Sequence, residues 1–171
     1  MAEATETSNT RFFAWMAVAA LVIVADQVTK WAIVEWVGLY EKVPLNSFIN
    51  LTHQRNTGAA FSFLADAGGW QRWFFVVLAT VVSAVIAVWL WRVRNERQAV
   101  LSAGLALVLG GAIGNLIDRL NYGYVTDFVP VWFGDWAYPS FNVADVGITV
   151  GAGLLIIDAL FFSGREEQGK S

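Results

Sequence analysis

Asn115, Asp118, Arg119, Asp127, Asn142 and Asp145 fall within one stretch, GGAIGNLIDRL through NYGYVTDFVP to FNVAD, bordered by apolar runs. Ionisable groups at membrane depth are costly, and chains keep them where they face a cavity, a partner or a reaction. Asn115, Asp118 and Arg119 stand at i, i+3 and i+4, and Asn142 and Asp145 at i, i+3, so each set shares a face where the helix persists. Asp26 and Lys30 make an i, i+4 pair that can neutralise itself, whereas Asp127 and Asp145 have no basic neighbour in sequence. Two such carboxylates held close together in low dielectric share a proton, because the first charge opposes the second. The ionised partner then activates a water and the protonated one polarises a scissile carbonyl, as in aspartic proteases.

Other chemistries are narrowed by what the chain lacks. It has no cysteine, which removes disulfides, thiol nucleophiles and thiolate metal sites. His53 is the only histidine, so a two-histidine zinc motif is impossible, and a rhomboid-like serine protease would need a histidine inside a span. His53 reads instead as an ordinary polar residue of an extramembrane strand. A carboxylate dyad is the hydrolytic mechanism that remains, with neither metal nor cofactor. The net charge of -3 and the scattered basic residues point away from nucleic acid. Bland readings attach to the rest: the glycines as packing devices, Asp26–Lys30 as a structural pair, Asp66 and Asp135 as solvated loop carboxylates, and Asp158 as a span-end residue without a role.

These residues need a mounting, and a composition that is 57% hydrophobic over 171 residues makes it an α-helical integral membrane protein of one domain. The spans are expected at 12–36, 70–91, 99–117 and 143–162, each long enough for roughly 30 Å of hydrocarbon at about 1.5 Å per residue. Residues 1–10 read as a short solvated tail. Ala17-Val18-Ala19 resembles a cleavage site but lies inside its apolar run, so no cleavage is expected. Gly110, Gly111 and Gly114 in the third span, and Gly147, Gly151 and Gly153 in the fourth, allow close helix approach. The outer segments are 37–69 and 118–142. Residues 48–55 alternate at period two ahead of the turn Asn56-Thr57-Gly58, which predicts a strand in a small extramembrane β-rich cradle. The aromatic residues between Tyr122 and Phe141 predict an outer loop or helix lying along the interface.

Arg92, Arg94 and Arg97 crowd the loop 92–98, while 120–142 contains no lysine or arginine. The positive-inside rule therefore puts that loop and both termini in the cytoplasm and the polar constellation at the outer membrane face. A small transporter or channel subunit using intramembrane carboxylates is the alternative. It calls for polar groups through the depth of the bilayer, and the middles of spans two, three and four are nearly free of them.

Taken together, DQVTK at 26–30, NTGAAF at 56–61, GGAIGNLIDR at 110–119, VTDF at 125–128 and FNVAD at 141–145 resemble, in order, the motifs of the bacterial lipoprotein signal peptidases, the type II signal peptidases. The resemblance runs from about residue 12 to 162. It implies an aspartic endopeptidase of the cytoplasmic membrane, with no cofactor, that cuts prolipoproteins just before a diacylglyceryl-modified cysteine. Its catalytic pair falls on Asp127 and Asp145. Asn56, Gly58, Asn115, Arg119 and Asn142 fall on positions that hold substrate or dyad, and Asp26, Lys30 and Asp118 on structural ones. The implied partners are these lipid-bearing substrates and membrane lipid, with the enzyme expected as a monomer. The segment 37–69 is expected as a platform against the bilayer and the loop 120–141 as a lid.

Overall fold

The computed structural model describes residues 2–58, 69–95, 98–134 and 136–162. Four helices dominate it: α1 (Ala2–Trp36), α2 (Trp70–Arg92), α3 (Ala99–Asn121) and α4 (Val143–Phe161). All four are long and apolar enough to cross a membrane. Leu21, Val24 and Val28 of α1, Val77, Val81 and Val85 of α2, and Val150, Ile156 and Leu160 of α4 point outward. Helices apolar on their outer as well as their inner faces belong in lipid, where exposing valine or leucine costs nothing. α1 begins at Ala2, so the polar N-terminal tail is helical from there.

α3 is the axis of the bundle and packs against each of the other three helices. Of its most apolar stretch 61% is buried, against 11–22% for the others. Its small residues make this possible. A Cβ built on Gly110 would sit 2.7 Å from the Ala19 carbonyl of α1, and one on Gly111 would collide with the Ala144 carbonyl of α4. Gly151, expected from the sequence to allow close approach, meets the carbonyl of Gly104, which that pattern did not include. Gly153 is the exception to that pattern: a Cβ there meets nothing within 4 Å, because its face of α4 turns away from α3.

The bundle is divided along its length. Towards Arg92 it closes on an apolar core of Ala19, Leu90, Leu105 and Leu109. At the other end, short strands cover it: β1 (Lys42–Pro44), β2 (Asn50–Thr52), β3 (Gln54–Asn56), β4 (Val125–Asp127), β5 (Val129–Phe133) and β6 (Trp136–Phe141). They pair antiparallel as β1–β2, β3–β4 and β5–β6. The alternating segment 48–55 thus becomes β2 and β3, broken at His53, which bridges to Leu39. The aromatic segment, expected as a loop or helix, is built of strands. Its Val, Trp, Tyr and Phe residues favour a pleated surface, and the Gly134 turn (φ +65°) lets β5 fold back on β6. Trp132 N–H donates to the Phe48 carbonyl (2.7 Å) and Thr52 N–H to the Phe128 carbonyl (3.0 Å), which joins the two outer segments. The platform expected over 37–69 is described as far as Gly58; residues 59–68, with Asp66, lie outside the described residues, as do Arg97, Asp135 and the C-terminal tail.

Gly111→Ala is expected to lower the melting temperature in detergent by several degrees, since overpacking costs about 1–3 kcal/mol and the obstructing atom is backbone. Gly153→Ala, facing open space, should melt with the parent. Equal behaviour of the two variants would contradict the packing described here.

Candidate active site

Two elements bring the aspartates together. Asp127 ends β4, whose ladder with β3 sets Gln54 opposite Asp127, Arg55 opposite Thr126 and Asn56 opposite Val125. Asp145 sits in the first turn of α4, where it forms a capping box with Asn142. The Asn142 side chain accepts from Asp145 N–H (2.9 Å), and Asn142 N–H donates to Asp145 Oδ2 (3.2 Å). This local motif satisfies two otherwise orphaned helix donors. It also leaves the buried Asn142 Nδ2 free of the helix, and this group donates to Asp127 Oδ1 at 2.7 Å. A single asparagine therefore holds both carboxyl groups.

Further donors complete the pair. Asn56 Nδ2 reaches Asp127 Oδ2 (2.9 Å) and Asn115 Nδ2 reaches Asp145 Oδ1 (2.8 Å). Both aspartates line a cavity of about 800 Å³ together with Asn56, Asn115 and Arg119. One wall is β6, from Tyr138 to Phe141, and the other is Val146, Ile148, Thr149 and Val150 of α4. The cavity thus continues from the carboxylates along an apolar helix face. Asp127 is 4% exposed, and its carboxyl is pushed up from 3.8 to about 7. Burial is the main cause and the charge of Asp145 the second; the hydrogen bonds from Asn56 and Asn142 and the charge of Lys30 pull the other way.

Beneath the cavity lies a second layer. Lys30 Nζ stands 2.8 Å from Asp26 Oδ2 and 3.1 Å from Asp118 Oδ2, all three nearly inaccessible to solvent. It also donates to Asn115 Oδ1 (2.9 Å). Asp118 accepts from Thr126 N–H (3.0 Å), which anchors β4 one residue before Asp127. Asp26 accepts from Ala144 N–H (2.9 Å), which anchors α4 one residue before Asp145. The expected common face of Asn115, Asp118 and Arg119 is present because α3 runs on to Asn121, beyond the 117 anticipated. Its members then diverge: Asn115 and Arg119 open on the cavity, while Asp118 turns to Lys30.

Arg119 Nη2 donates to the Gly58 carbonyl (3.1 Å), and Gly58 N–H donates to Asn56 Oδ1 (3.0 Å). The turn that presents Asn56 is thereby tied to α3. Every residue singled out as a site candidate belongs to this one hydrogen-bonded system, and His53 stays outside it, buried with Nδ1 3.3 Å from the Val37 carbonyl. Asp158 lies near the opposite end of α4.

Two members were missed. Gln27 Nε2 contacts Asp26 Oδ2, Asp118 Oδ1 and the Gly114 carbonyl at 3.0–3.2 Å. An amide beside an aspartate within an apolar span was an available signal for it. Arg72 donates to the carbonyls of Arg119 (2.9 Å) and Leu120 (2.8 Å), closing the end of α3 from α2. Nothing local marks that contact.

The family model for signal peptidase (SPase) II matches residues 18–161. A lipoprotein signal peptidase of Actinobacillus succinogenes is 48% identical over 147 residues, covering 86% of this chain and 88% of that protein. One from Shewanella oneidensis is 46% identical over 159 residues, 92% of this chain and 91% of that protein. A solved bacterial membrane enzyme superposes with a TM-score of 0.77 at 29% identity, over 86% of this chain and 87% of that one. These similarities give no support to the transporter reading.

Two outcomes follow from the geometry. Lys30→Met leaves Asp26 and Asp118 buried without a counter-charge, and breaking such a cluster costs about 3–5 kcal/mol. Thermal melts in detergent should show a large loss, part of which Asp118→Asn restores in the double variant; a parent-like melt for Lys30→Met would mean that the cluster is not ionised. The second concerns pH. The unfolded chain releases the Asp127 proton near 3.8 and the folded protein near 7, so the stability contributed is full below the lower value and lost as pH rises through the upper one. Asp127→Asn should flatten the decline in stability over that window, and unchanged slopes in the two proteins would contradict it.

Proposed function

The chain belongs to the signal peptidase II family, and we propose that it removes signal peptides from bacterial prolipoproteins with Asp127 and Asp145 as an aspartic dyad. What carries this reading is the single asparagine, Asn142, bonded to both carboxyl groups at the edge of one cavity. The dyad holds one proton. Burial and the neighbouring charge of Asp145 favour that proton on Asp127.

In the reaction, Asp145 takes a proton from a water whose oxygen bonds to the scissile carbonyl carbon. Asp127 gives its proton to the carbonyl oxygen, and a gem-diol results. The proton on Asp145 then passes to the amide nitrogen, the C–N bond breaks, and a gem-diol hydroxyl returns a proton to Asp127. The signal peptide leaves with a new carboxyl terminus and the lipoprotein with a free α-amine. No charge beyond that of the resting dyad has to be carried by the site. Asn56, Asn115 and Asn142 hold the two carboxyls in register, and Arg119 holds the turn that carries Asn56.

The substrate is a prolipoprotein cut just before a diacylglyceryl-modified cysteine. The apolar wall of Val146, Ile148 and Val150 suits a signal helix or acyl chain lying beside α4, with the scissile bond raised to the dyad. The protein is a multi-pass bacterial membrane protein. Its orientation is inferred from charge: Arg92 and Arg94 stand at the end of α2, whereas Arg72, at the other end of that helix, lies beside the polar site. The arginine-rich end is cytoplasmic by the positive-inside rule, and the dyad faces the periplasm.

Cleavage of a diacylglyceryl-modified prolipoprotein peptide by purified protein in detergent tests the dyad. Asp127→Asn and Asp145→Asn, each verified as folded, should lose about 10²–10⁴-fold in rate or more. For the parent, kcat/KM should fall on the alkaline side with an apparent pKa near 7, where Asp127 loses its proton. Near-parent cleavage by either folded variant would refute the assignment.

A further inference from the structure

The end of the bundle opposite the dyad holds a second cleft, of about 300 Å³, lined by Arg11, Trp15, Val93, Arg94, Gln98, Ala99 and Ser102. Three elements frame it: α1, the 3-10 turn Val93–Asn95 that follows α2, and the start of α3. Its lining contains two guanidinium groups and, among the described residues, no carboxylate. Arg94 stacks over Trp91 (3.9 Å to the ring centroid) and spends Nη1 on the Trp91 carbonyl (2.7 Å). Its Nε is buried without a hydrogen-bond partner among the described residues.

The start of α3 adds donors to the same cleft. No side chain caps it, and the amide groups of Ala99, Val100 and Leu101, ahead of the first helical bond from Ser102 N–H to the Gln98 carbonyl (3.0 Å), have no partner within the helix. Ser102 lines the cleft from the first turn of α3 and is only 4% exposed. Its hydroxyl makes no hydrogen bond to any described residue. The Ser102 hydroxyl therefore offers a hydrogen-bond donor to the cleft beside two arginines, one of which keeps a buried Nε without a partner among the described residues. Guanidinium groups, an uncapped helix start and a hydroxyl donor together match the oxygens of a phosphate.

We propose that this cleft is a binding site for the phosphodiester headgroup of an anionic phospholipid, seated between α1 and the α2–α3 turn. Trp15 and Trp91, with Phe12 packed edge-on against Trp91 (5.0 Å between centroids), form an aromatic collar at this level, as side chains do at a membrane interface. The lipid's acyl chains would run along the outward apolar faces of α1 and α2. The bound headgroup offsets the charge of Arg11 and Arg94 and staples the turn to the first helix. The site depends on membrane residence but not on the aspartic dyad; its assignment to the cytoplasmic leaflet rests on the orientation proposed above.

The test uses full-length protein in neutral detergent with added phosphatidylglycerol, phosphatidylcholine or inorganic phosphate. Native mass spectrometry reads bound lipid and thermal melts read stabilisation. Phosphatidylglycerol should be retained and raise the melting temperature by several degrees, with phosphatidylcholine and phosphate doing less. Arg11→Gln and Arg94→Gln should each weaken phosphatidylglycerol binding about fivefold, and Ser102→Ala should weaken it as well, while peptide cleavage in lipid-free detergent stays at the parent rate. Lys42→Gln, at the other end of the protein, should bind as the parent does. Equal retention of the two lipids, or parent-like binding by both arginine variants, would overturn the proposal. Stabilisation by inorganic phosphate with no gain from phosphatidylglycerol would overturn the lipid as its source.

Discussion

The Lys30 ammonium lies between Asp26, Asp118 and Asn115, at 2.8, 3.1 and 2.9 Å, in a region that solvent hardly reaches. Each of its partners holds something else. Asp26 holds the start of α4 through Ala144, Asp118 holds β4 through Thr126, and Asn115 holds Asp145. One cation from α1 thus sets the positions from which both aspartates are presented. Coulomb attraction in such a place is strong, but desolvating three ions offsets much of it. The net return is placement more than stability. A cluster of this kind is satisfied in one arrangement, whereas an apolar core of equal volume would tolerate several.

Above that layer the asparagines do different work. Amide donors stabilise a carboxylate without bringing a full positive charge into contact with it, so they orient the pair and still leave a proton to be shared. A lysine in place of Asn142 would ionise both carboxyls and suppress the acid half of the proposed mechanism. Asn142 also caps α4, which couples the geometry of the dyad to the start of the helix that walls the cavity.

The division of the bundle into an apolar end and a polar end matches the substrate chemistry proposed for it. A peptide bond next to a lipid-bearing residue has to be met where hydrocarbon and water adjoin. The close glycine contacts of α3 with α1 and α4 let backbone approach backbone just below the site, leaving the polar residues of three helices within hydrogen-bond reach. The strands then close the site from outside, and the β3–β4 ladder brings Asn56 to Asp127 from a segment far away in sequence.

The four helices were legible from the chain alone because length and apolarity are local properties that lipid enforces on each segment separately. So were the candidate residues, since polar groups stand out against apolar runs, and the family motifs that order them. The pairings were not legible. Asn142 as the joint between two aspartates, Gln27 between Asp26 and Asp118, and Arg72 over the end of α3 are contacts between segments whose separation carries no periodic signal. The same holds for the glycines: Gly104 and Gly153 are alike in sequence, and only the facing helix makes one a contact and leaves the other in open space. The aromatic segment became strands because it found partners in Phe48 and Ile49, just ahead of β2, and across its own turn. Strand pairing and charge placement are properties of neighbours, and neighbours exist only once the chain has packed.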